Sequence, residues 1–389
     1  MIEIVNKENH SDDCVWIDGQ EGELNRSPLA PPTYQDSSNY KSWLWTQIKQ
    51  RGKASSELYR LAELPNLKLS CSDPEGHAQV VMKSIEWIRH KKKTSKSEMC
   101  HLHVHSEFSL LDGVPLTETI ANRAAALGHE SVALTDHGYL HGLYKHNRDC
   151  KEAGIKPIFG VESYFCDDNT KKDNITYHLI LIASNDAGWT NLLKINSLAG
   201  RDGFYRKPRT DYKTLYEYNE GIICLSGCYK SPVSYHFGPE GRDVSQAVVA
   251  MKNMKDIFGD RFYNEVMQIG WEDYDWVMPE CVEIASEHGI KSVATNDCHY
   301  TLPEEGEVQN VLMNVSTKGG LSGLESQALY MKSRSEMEGG LISNEMLDRT
   351  LEIADRVSLD LKFEGYKFPR FSVEASPDYK QFQKECCHG

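Results

Sequence analysis

The sequence lacks two features that would place it in common functional classes: a long apolar run and an excess of positive charge. No stretch of about 20 apolar residues occurs among the 389 residues, so the sequence does not support a membrane-spanning helix. Lys and Arg number 43 against 57 Asp and Glu, giving a formal net charge of -14. Because phosphate binding needs local positive charge, this balance argues against a non-specific nucleic-acid coat. It still permits a nucleic-acid enzyme, since bound divalent metals supply positive charge and their carboxylate ligands make a chain more acidic.

The cysteines lack a spacing typical of disulfides or of a zinc site. They number 11, are scattered, and several lie inside apolar runs, as Cys166 and Cys224 do. Reduced thiols are therefore the favoured interpretation. The amino terminus, MIEIVNKENHSDDC, is acidic and has no apolar segment of the kind found in secretory signals. We expect a cytoplasmic protein with no membrane partner.

Hydrophobic periodicity and turn residues divide the chain into segments of different character. No internal repeat is evident. The expected organisation is a flexible lead-in over 1–38, a small helical amino-terminal extension over 39–98 with helices near 40–64 and 77–93, a metal-binding barrel over 99–302, and a mostly helical carboxyl-terminal region over 303–389.

Strand and helix patterns alternate from residue 100 onward. The predicted strands are 101–105, 131–135, 156–161, 177–183, 221–226, 262–268 and 291–296. The predicted helices between them are 116–127, 140–153, 186–199, 243–258 and 273–288. Such alternation is typical of a parallel α/β architecture. Seven strands predict a distorted seven-stranded (β/α) barrel.

Metal-type side chains recur where these strands end. In a strand, residues i and i+2 face the same side, so His103 and His105 point into one space, and Asp297 and His299 do the same. Functional residues of a parallel barrel gather at the carboxyl ends of its strands. The residues at strand ends or in the loops that follow them, together with His178 at the opening of the fourth strand, are here called the ligand set: His103, His105, Asp112, His137, Glu162, His178, Cys228, Asp297 and His299.

The ligand set exceeds what one tetrahedral zinc ion needs. Two or three clustered divalent ions are therefore predicted, and zinc, manganese and iron are all chemically acceptable. A cluster of this kind activates water and stabilises an in-line displacement at phosphorus, so phosphoester hydrolysis is the natural reaction class. Asp136 points the other way along its strand and is better placed to orient a ligand than to be one. For Cys228 the alternative is a small apolar core residue.

Several motifs of the sequence, in order and correctly spaced, resemble those of a known family. HVHSEFSLLDG, ALTDHG, GIKPIFGVE, YHLILIA, LSGC and ATNDCHY are similar to the PHP (polymerase and histidinol phosphatase) domain of bacterial DNA polymerase III alpha subunits. The resemblance covers about residues 100–375. It implies that the metal ligands are the members of the ligand set and that the activity is metal-dependent 3'-to-5' exonuclease proofreading of a single-stranded DNA end. It also makes Lys207 and Arg209, in the segment GFYRKPR, candidates to contact a nucleic-acid phosphate.

The sequence departs from this family in what surrounds the barrel. The polymerases continue into palm and fingers, whereas this chain ends at Gly389, about where a palm would begin. We therefore expect no polymerase activity from this chain alone and expect a separate polymerase chain or other replication proteins as partners. Two alternatives stay open: a small-molecule phosphatase of the histidinol-phosphatase type, and a non-catalytic scaffold that binds a polymerase.

Overall fold

The computed structural model describes residues 98–237, 243–270, 276–317 and 328–362, together with the backbones of four short strands nearer the amino terminus. Those strands are β1 (Glu3–Val5), β2 (Cys14–Ile17), β3 (Gln20–Glu23) and β4 (Lys68–Ser70). β1 pairs with β4 in parallel, and β2 pairs with β3 in antiparallel fashion. The helices predicted over 40–64 and 77–93 lie outside the described residues. The chain divides into one large unit, Met1–Leu359, and one small unit, Asp360–Gly389.

A curled, mixed sheet forms the centre of the large unit. Its strands are β5 (Ser131–Leu134), β6 (Lys156–Phe165), β7 (Tyr177–Ala183), β8 (Arg209–Thr210), β9 (Ile222–Leu225), β10 (Phe262–Val266) and β11 (Lys291–Ala294). The order is β11-β10-β9-β7-β6-β5, with the short β8 paired to β6. Strands β5, β7, β9 and β10 are buried along their whole length, because helices and loops cover both faces. The α/β class and the curled sheet of a distorted barrel are confirmed. Six of the seven predicted strands lie in this sheet, and its seventh strand is the short β8, which the sequence did not predict.

The segment over 101–105, predicted as the first strand, is extended but makes only isolated bridges. His101 bridges Val132 of β5, and Val104 bridges Cys298 just beyond β11, both in parallel. Across the second junction the amide of His105 donates to the carbonyl of Cys298 at 2.8 Å. The segment therefore links the two edge strands of the sheet, as a distorted barrel requires.

The expectation of an all-parallel sheet is wrong for β7. This strand runs antiparallel to both of its neighbours, β6 and β9. Parallel neighbours need a long crossover connection, usually a helix. The connection over 166–176 is short and contains no helix, so β7 can only return beside β6 in the opposite direction.

Helices follow most strands and cover the sheet. Their bounds are α1 Thr117–Ala126, α2 Leu143–Ala153, α3 Asp186–Arg201, α4 Tyr212–Tyr218, α5 Val244–Phe258, α6 Val277–Glu287, α7 Gly306–Thr317, α8 Arg334–Met337 and α9 Asn344–Arg356. The sequence predicted α1, α2, α3, α5 and α6 within a few residues, and α4 was missed. Side-chain caps begin several of them; Asn185, for instance, accepts from the amide of Gly188 at 2.9 Å. Among the described helices, none combines the length and apolar character that crossing a membrane demands.

Candidate metal centre

The ligand set converges on one edge of the curled sheet. His103 and His105 lie on the bridging segment, Asp112 on the loop that follows it, His137 just past β5, Glu162 within β6, His178 in β7, Cys228 past β9, and Asp297 and His299 past β11. Because β7 runs antiparallel, a residue at its start lies at the same edge as residues at the ends of its neighbours. The reversed strand therefore explains why His178, which opens a strand, joins ligands that close theirs.

Glu162 occupies the centre of the cluster and is fully buried. Its Oε1 lies 2.6 Å from Nδ1 of His178, and its Oε2 lies 3.4 Å from Nε2 of His105 and close to Nδ1 of His137. The thiol of Cys228 lies 3.8 Å from Oε1 of the same carboxylate. One carboxylate thus contacts side chains from four other segments, so Glu162 is the residue around which the cluster is arranged.

Asp297 closes the cluster on a second side. Its Oδ1 lies 3.0 Å from Nε2 of His103, 3.2 Å from Nε2 of His105 and 3.5 Å from Nδ1 of His299. The backbone of Asp297 has φ +46, a left-handed conformation that non-glycine residues rarely adopt. Strain of this kind persists where the surrounding structure holds a functional residue in place.

Asp112 forms the more open side of the cluster. Its carboxylate lies 3.1 Å from Nε2 of His137 and 3.5 Å from Nε2 of His299, and it accepts a 3.0 Å hydrogen bond from Gln309 of α7. About a quarter of the Asp112 side chain is exposed to solvent, against 1% for Glu162. Solvent therefore reaches the cluster from this side.

The arrangement of the donor atoms suits coordination of divalent metal ions better than hydrogen bonding among the side chains themselves. Oε2 of Glu162 and Oδ1 of Asp297 are buried without hydrogen-bond partners, although imidazole nitrogens surround them. Nε2 of His103 and Nε2 of His105 face each other at 3.1 Å. Three overlapping groups have ligand atoms that all lie within 4.8 Å of one another: His105 with His137 and His299, His103 with His105 and Glu162, and His137 with Glu162 and His178. Unpaired oxygens and facing nitrogens are reconciled when cations lie between them.

Electrostatics within the cluster divide the imidazoles into two kinds. Burial, reinforced by His137 and His299, lowers the pKa of His105 to about 3, so its ring is neutral and offers a lone pair. Burial opposes protonation of His137 as well, but the carboxylates of Glu162 and Asp112 outweigh it and raise the pKa of His137 to about 10. Against the same burial, Asp112 raises the pKa of His299 to about 9. Positive charge is therefore favoured between these carboxylates, whether a proton or a metal ion supplies it.

Glu265 supports the cluster and was missed in the sequence. It lies in β10, is 1% exposed, and its Oε1 contacts Nδ1 of His103 at 2.6 Å. The same carboxylate accepts from the hydroxyl of Thr295 at 2.5 Å and from the amide of Gly227 at 3.0 Å. A proton held on Nδ1 leaves Nε2 of His103 free to bind a metal. An acidic residue inside the apolar strand FYNEV was the only sequence signal for it.

Asp136 acts on the cluster through a serine, in line with the orienting role predicted for it. Its Oδ1 accepts from the hydroxyl of Ser109 at 2.7 Å, and that hydroxyl lies 2.9 Å from Nδ1 of His105. Asp136 also accepts from the amide and hydroxyl of Ser106, at 2.7 and 2.8 Å. Because Ser109 donates to Asp136, it accepts from His105 and leaves Nε2 of that ring free.

The two residues predicted to contact phosphate, Lys207 and Arg209, lie in different environments. Lys207 is exposed, and its Nζ lies 4.1 Å from the ring centre of Tyr164, whose ring stacks on His137. Arg209 is 1% exposed, and its guanidinium donates to four backbone carbonyls, those of Asn169, Lys171, Asp173 and Gly203. Lys207 thus lies beside the cluster, whereas Arg209 is used inside the protein and is not placed to meet a substrate.

Comparisons with known proteins agree with the geometry. The PHP domain family matches residues 101–268. The DNA polymerase III subunit alpha of Aquifex aeolicus is 33% identical over 320 residues, which is 75% of this chain and 27% of that protein. The corresponding subunit of Helicobacter pylori (strain 26695) is 36% identical over 288 residues, which is 69% of this chain and 24% of that protein. The chain thus spans about a quarter of the length of these relatives.

Among solved structures, a metal-dependent phosphoesterase from Bifidobacterium adolescentis covers 62% of this chain and 96% of its own, with 14% identity and a TM-score of 0.37. At that TM-score the likeness adds nothing about function. The family match, by contrast, contains strands β5 to β10 of the curled sheet and every member of the ligand set except Asp297 and His299. Residues 101–268 of this chain are therefore a PHP domain related to that of DNA polymerase III alpha subunits.

Proposed function

We propose that the ligand set binds two or three divalent metal ions and that the chain hydrolyses phosphodiester bonds at the 3' end of single-stranded DNA. The observation that carries the proposal is the convergence of imidazole and carboxylate ligands at an edge of the sheet that is open beside Asp112. Bound zinc, manganese or iron would lower the pKa of a coordinated water and polarise the phosphoryl oxygens. The chain's own residues hold the ions and exclude water from the buried side.

The rim of the cluster favours a nucleic acid over a small phosphate ester. Partial burial, and after it the positive charge of nearby Lys230, lowers the pKa of Lys207, and two neighbouring ammonium groups are suited to neighbouring phosphates. Three partly exposed aromatic rings belong to segments that also carry rim or ligand residues: Tyr139 after His137, Tyr229 after Cys228, and Phe204 before Lys207. Aromatic rings combined with cationic side chains are typical of surfaces that bind single strands.

Digestion of a 5'-labelled single-stranded oligonucleotide tests this function. We expect the purified chain with manganese or zinc to give a ladder that shortens from the 3' end, and a chelator to abolish it. Asp297→Asn should abolish shortening, because it removes a charged ligand, whereas Asp348→Asn alters a carboxylate that is 66% exposed and should not. Hydrolysis of histidinol phosphate without any cleavage of DNA would favour the phosphatase alternative. If neither substrate is cleaved with any of the metals, the remaining alternative is a non-catalytic scaffold that binds a polymerase.

We also propose that the chain works in the cytoplasm beside a polymerase. Its relatives are DNA polymerase III alpha subunits, and it matches only about a quarter of their length. A DNA polymerase III alpha chain should co-elute with the full-length protein in gel filtration. Separate elution at micromolar concentrations of both would contradict this partnership.

A further inference from the structure

Two leucines with exposed side chains directly precede Asp112 in the loop that leads to the open side of the cluster. Leu110 is 83% exposed and Leu111 is 46% exposed. Leu111 also has φ +64, which crowds its Cβ against the backbone. Among the residues that the structure describes, the non-glycine residues with positive φ are Leu111, Arg206 and Asp297, and all three lie on segments that form the cluster or its rim. We call Leu110 and Leu111 the leucine tip.

The loop beneath the leucine tip is fixed on both sides. Ser109 precedes the tip, donates to Asp136 and contacts His105, and its carbonyl accepts from the amides of Asp112 and Gly113 at 3.0 and 2.9 Å. A Cβ on Gly113 would lie 2.1 Å from the carbonyl oxygen of Ser106, so the turn requires glycine there. The loop therefore holds the tip in place rather than letting it fold back onto the protein.

The leucine tip is covalently next to a member of the ligand set. Asp112 follows Leu111 directly, and its carboxylate contacts His137 and His299 on the open side of the cluster. Consecutive Cα atoms are about 3.8 Å apart, so a phosphate held at this side has its attached nucleoside within reach of the leucines. The cations and Lys207 would neutralise the charge of the phosphate, whereas the base would pack against an apolar surface.

We propose that the leucine tip packs against the base of the 3'-terminal nucleotide and thereby selects ends whose last base is unpaired. The inference rests on the proposed function, since it assigns a contact to the same substrate. A paired terminal base is already stacked on its neighbour and would have to leave that stack before contacting the leucines. Leucine and other apolar side chains contact the faces of bases where stacking is interrupted, as at the steps into which minor-groove binding proteins insert them.

The test compares two oligonucleotides that differ only at the 3' terminus, one with a thymine base and one abasic. Both carry a cleavage-resistant phosphorothioate as the last linkage and a 5' fluorophore, and binding is followed by anisotropy with manganese. We expect the unaltered chain to bind the thymine end roughly fivefold more tightly, the gain from covering one face of a base. Leu110→Ala and Leu111→Gly should each weaken that binding and leave the abasic Kd unchanged.

Two controls separate a lost contact from a damaged site. Val249→Ala removes an exposed apolar side chain from α5 and should retain the full preference. Manganese affinity, measured by competition with a chelator, should be the same in both leucine variants as in the unaltered chain, because neither leucine belongs to the ligand set. Glycine suits the positive φ at 111, so Leu111→Gly is expected to fold even where Leu110→Ala does not.

Each remaining outcome overturns the inference. The inference is wrong if the unaltered chain binds the thymine and abasic ends equally, or binds neither. It is also wrong if the leucine variants keep the preference for the thymine end, or lose affinity for both ends alike. Failure of the proposed function is a different result: the chain binds the oligonucleotides but does not shorten an unmodified one. In that case the ratio of the two Kd values still decides whether the leucine tip contacts the base.

Discussion

Replacing Glu265 by Gln should weaken metal binding although Glu265 belongs to no predicted ligand group. Three donors surround its carboxylate: Nδ1 of His103 and the hydroxyl of Thr295 at Oε1, and the amide of Gly227 at Oε2. Glutamine has the same shape but only one oxygen. If that oxygen stays with the fixed amide of Gly227, the new NH2 group faces His103, whose Nδ1 must then accept.

The substitution would weaken metal binding by changing which ring nitrogen of His103 carries the proton. An accepting Nδ1 places the ring proton on Nε2, the atom that lies 3.0 Å from Asp297 and 3.1 Å from His105. A protonated nitrogen cannot bind a metal. Losing the hydrogen-bond partner of a metal-binding histidine typically costs 10- to 100-fold in affinity, or about 1.4 to 2.8 kcal/mol. If the amide turns the other way, the buried amide of Gly227 loses its acceptor, at a cost of about 1 to 3 kcal/mol in stability.

Competition with a chelator measures the manganese affinity, and thermal unfolding of the metal-free chain measures stability. Glu265→Gln is expected to change at least one of them by the amounts above. Glu345→Gln makes the same chemical change at a side chain that is 79% exposed and should change neither. Unaltered affinity together with unaltered stability in Glu265→Gln would refute the role assigned to Glu265.

Four further outcomes are expected. Arg209→Lys should destabilise the fold by about 2 to 4 kcal/mol in urea unfolding, because lysine cannot reach the carbonyls that the buried guanidinium binds; equal stability would contradict this. Lys207→Ala should raise KM for an oligonucleotide several-fold with little effect on stability, since its ammonium group lies on the rim; an unchanged KM at low salt would remove Lys207 from the substrate site. Burial lowers the pKa of His146 to about 4, so the unfolded chain takes up this proton first as pH falls. Stability should therefore be unaffected by His146 above about pH 6.5 and fall by roughly 3 kcal/mol towards pH 4; a His146→Gln variant with the same acid profile would exclude this group as the cause. Removing bound metal with a chelator should lower Tm, and manganese should restore it; a Tm indifferent to both would mean that the cluster holds no stabilising ion.

The residues by themselves were enough to predict six strands of the sheet and the imidazole and carboxylate side chains that gather at its edge. Alternation places His103 and His105 on one face of their extended segment. The same rule predicts a shared face for Asp297 and His299, but Asp297 has a left-handed backbone past the end of β11, so the fold and not alternation brings these two side chains into the cluster. Helices such as α3 carry their own start signal in the Asn185 cap. These properties depend on neighbours a few positions apart, so they can be predicted before the fold is known.

Only the tertiary structure decided the direction of β7, the contact between Glu265 and His103, and the burial of Arg209. Because β7 is antiparallel, His178 lies at the same edge of the sheet as the rest of the ligand set, and no local sequence pattern predicts this direction. Glu265 and Arg209 are ordinary charged residues in sequence; one meets His103 and the other meets carbonyls of a distant loop. Both outcomes depend on contacts between residues far apart in the chain, and so do burial and the pKa shifts of the histidines. Chemistry that arises from such contacts is fixed only when the chain has folded.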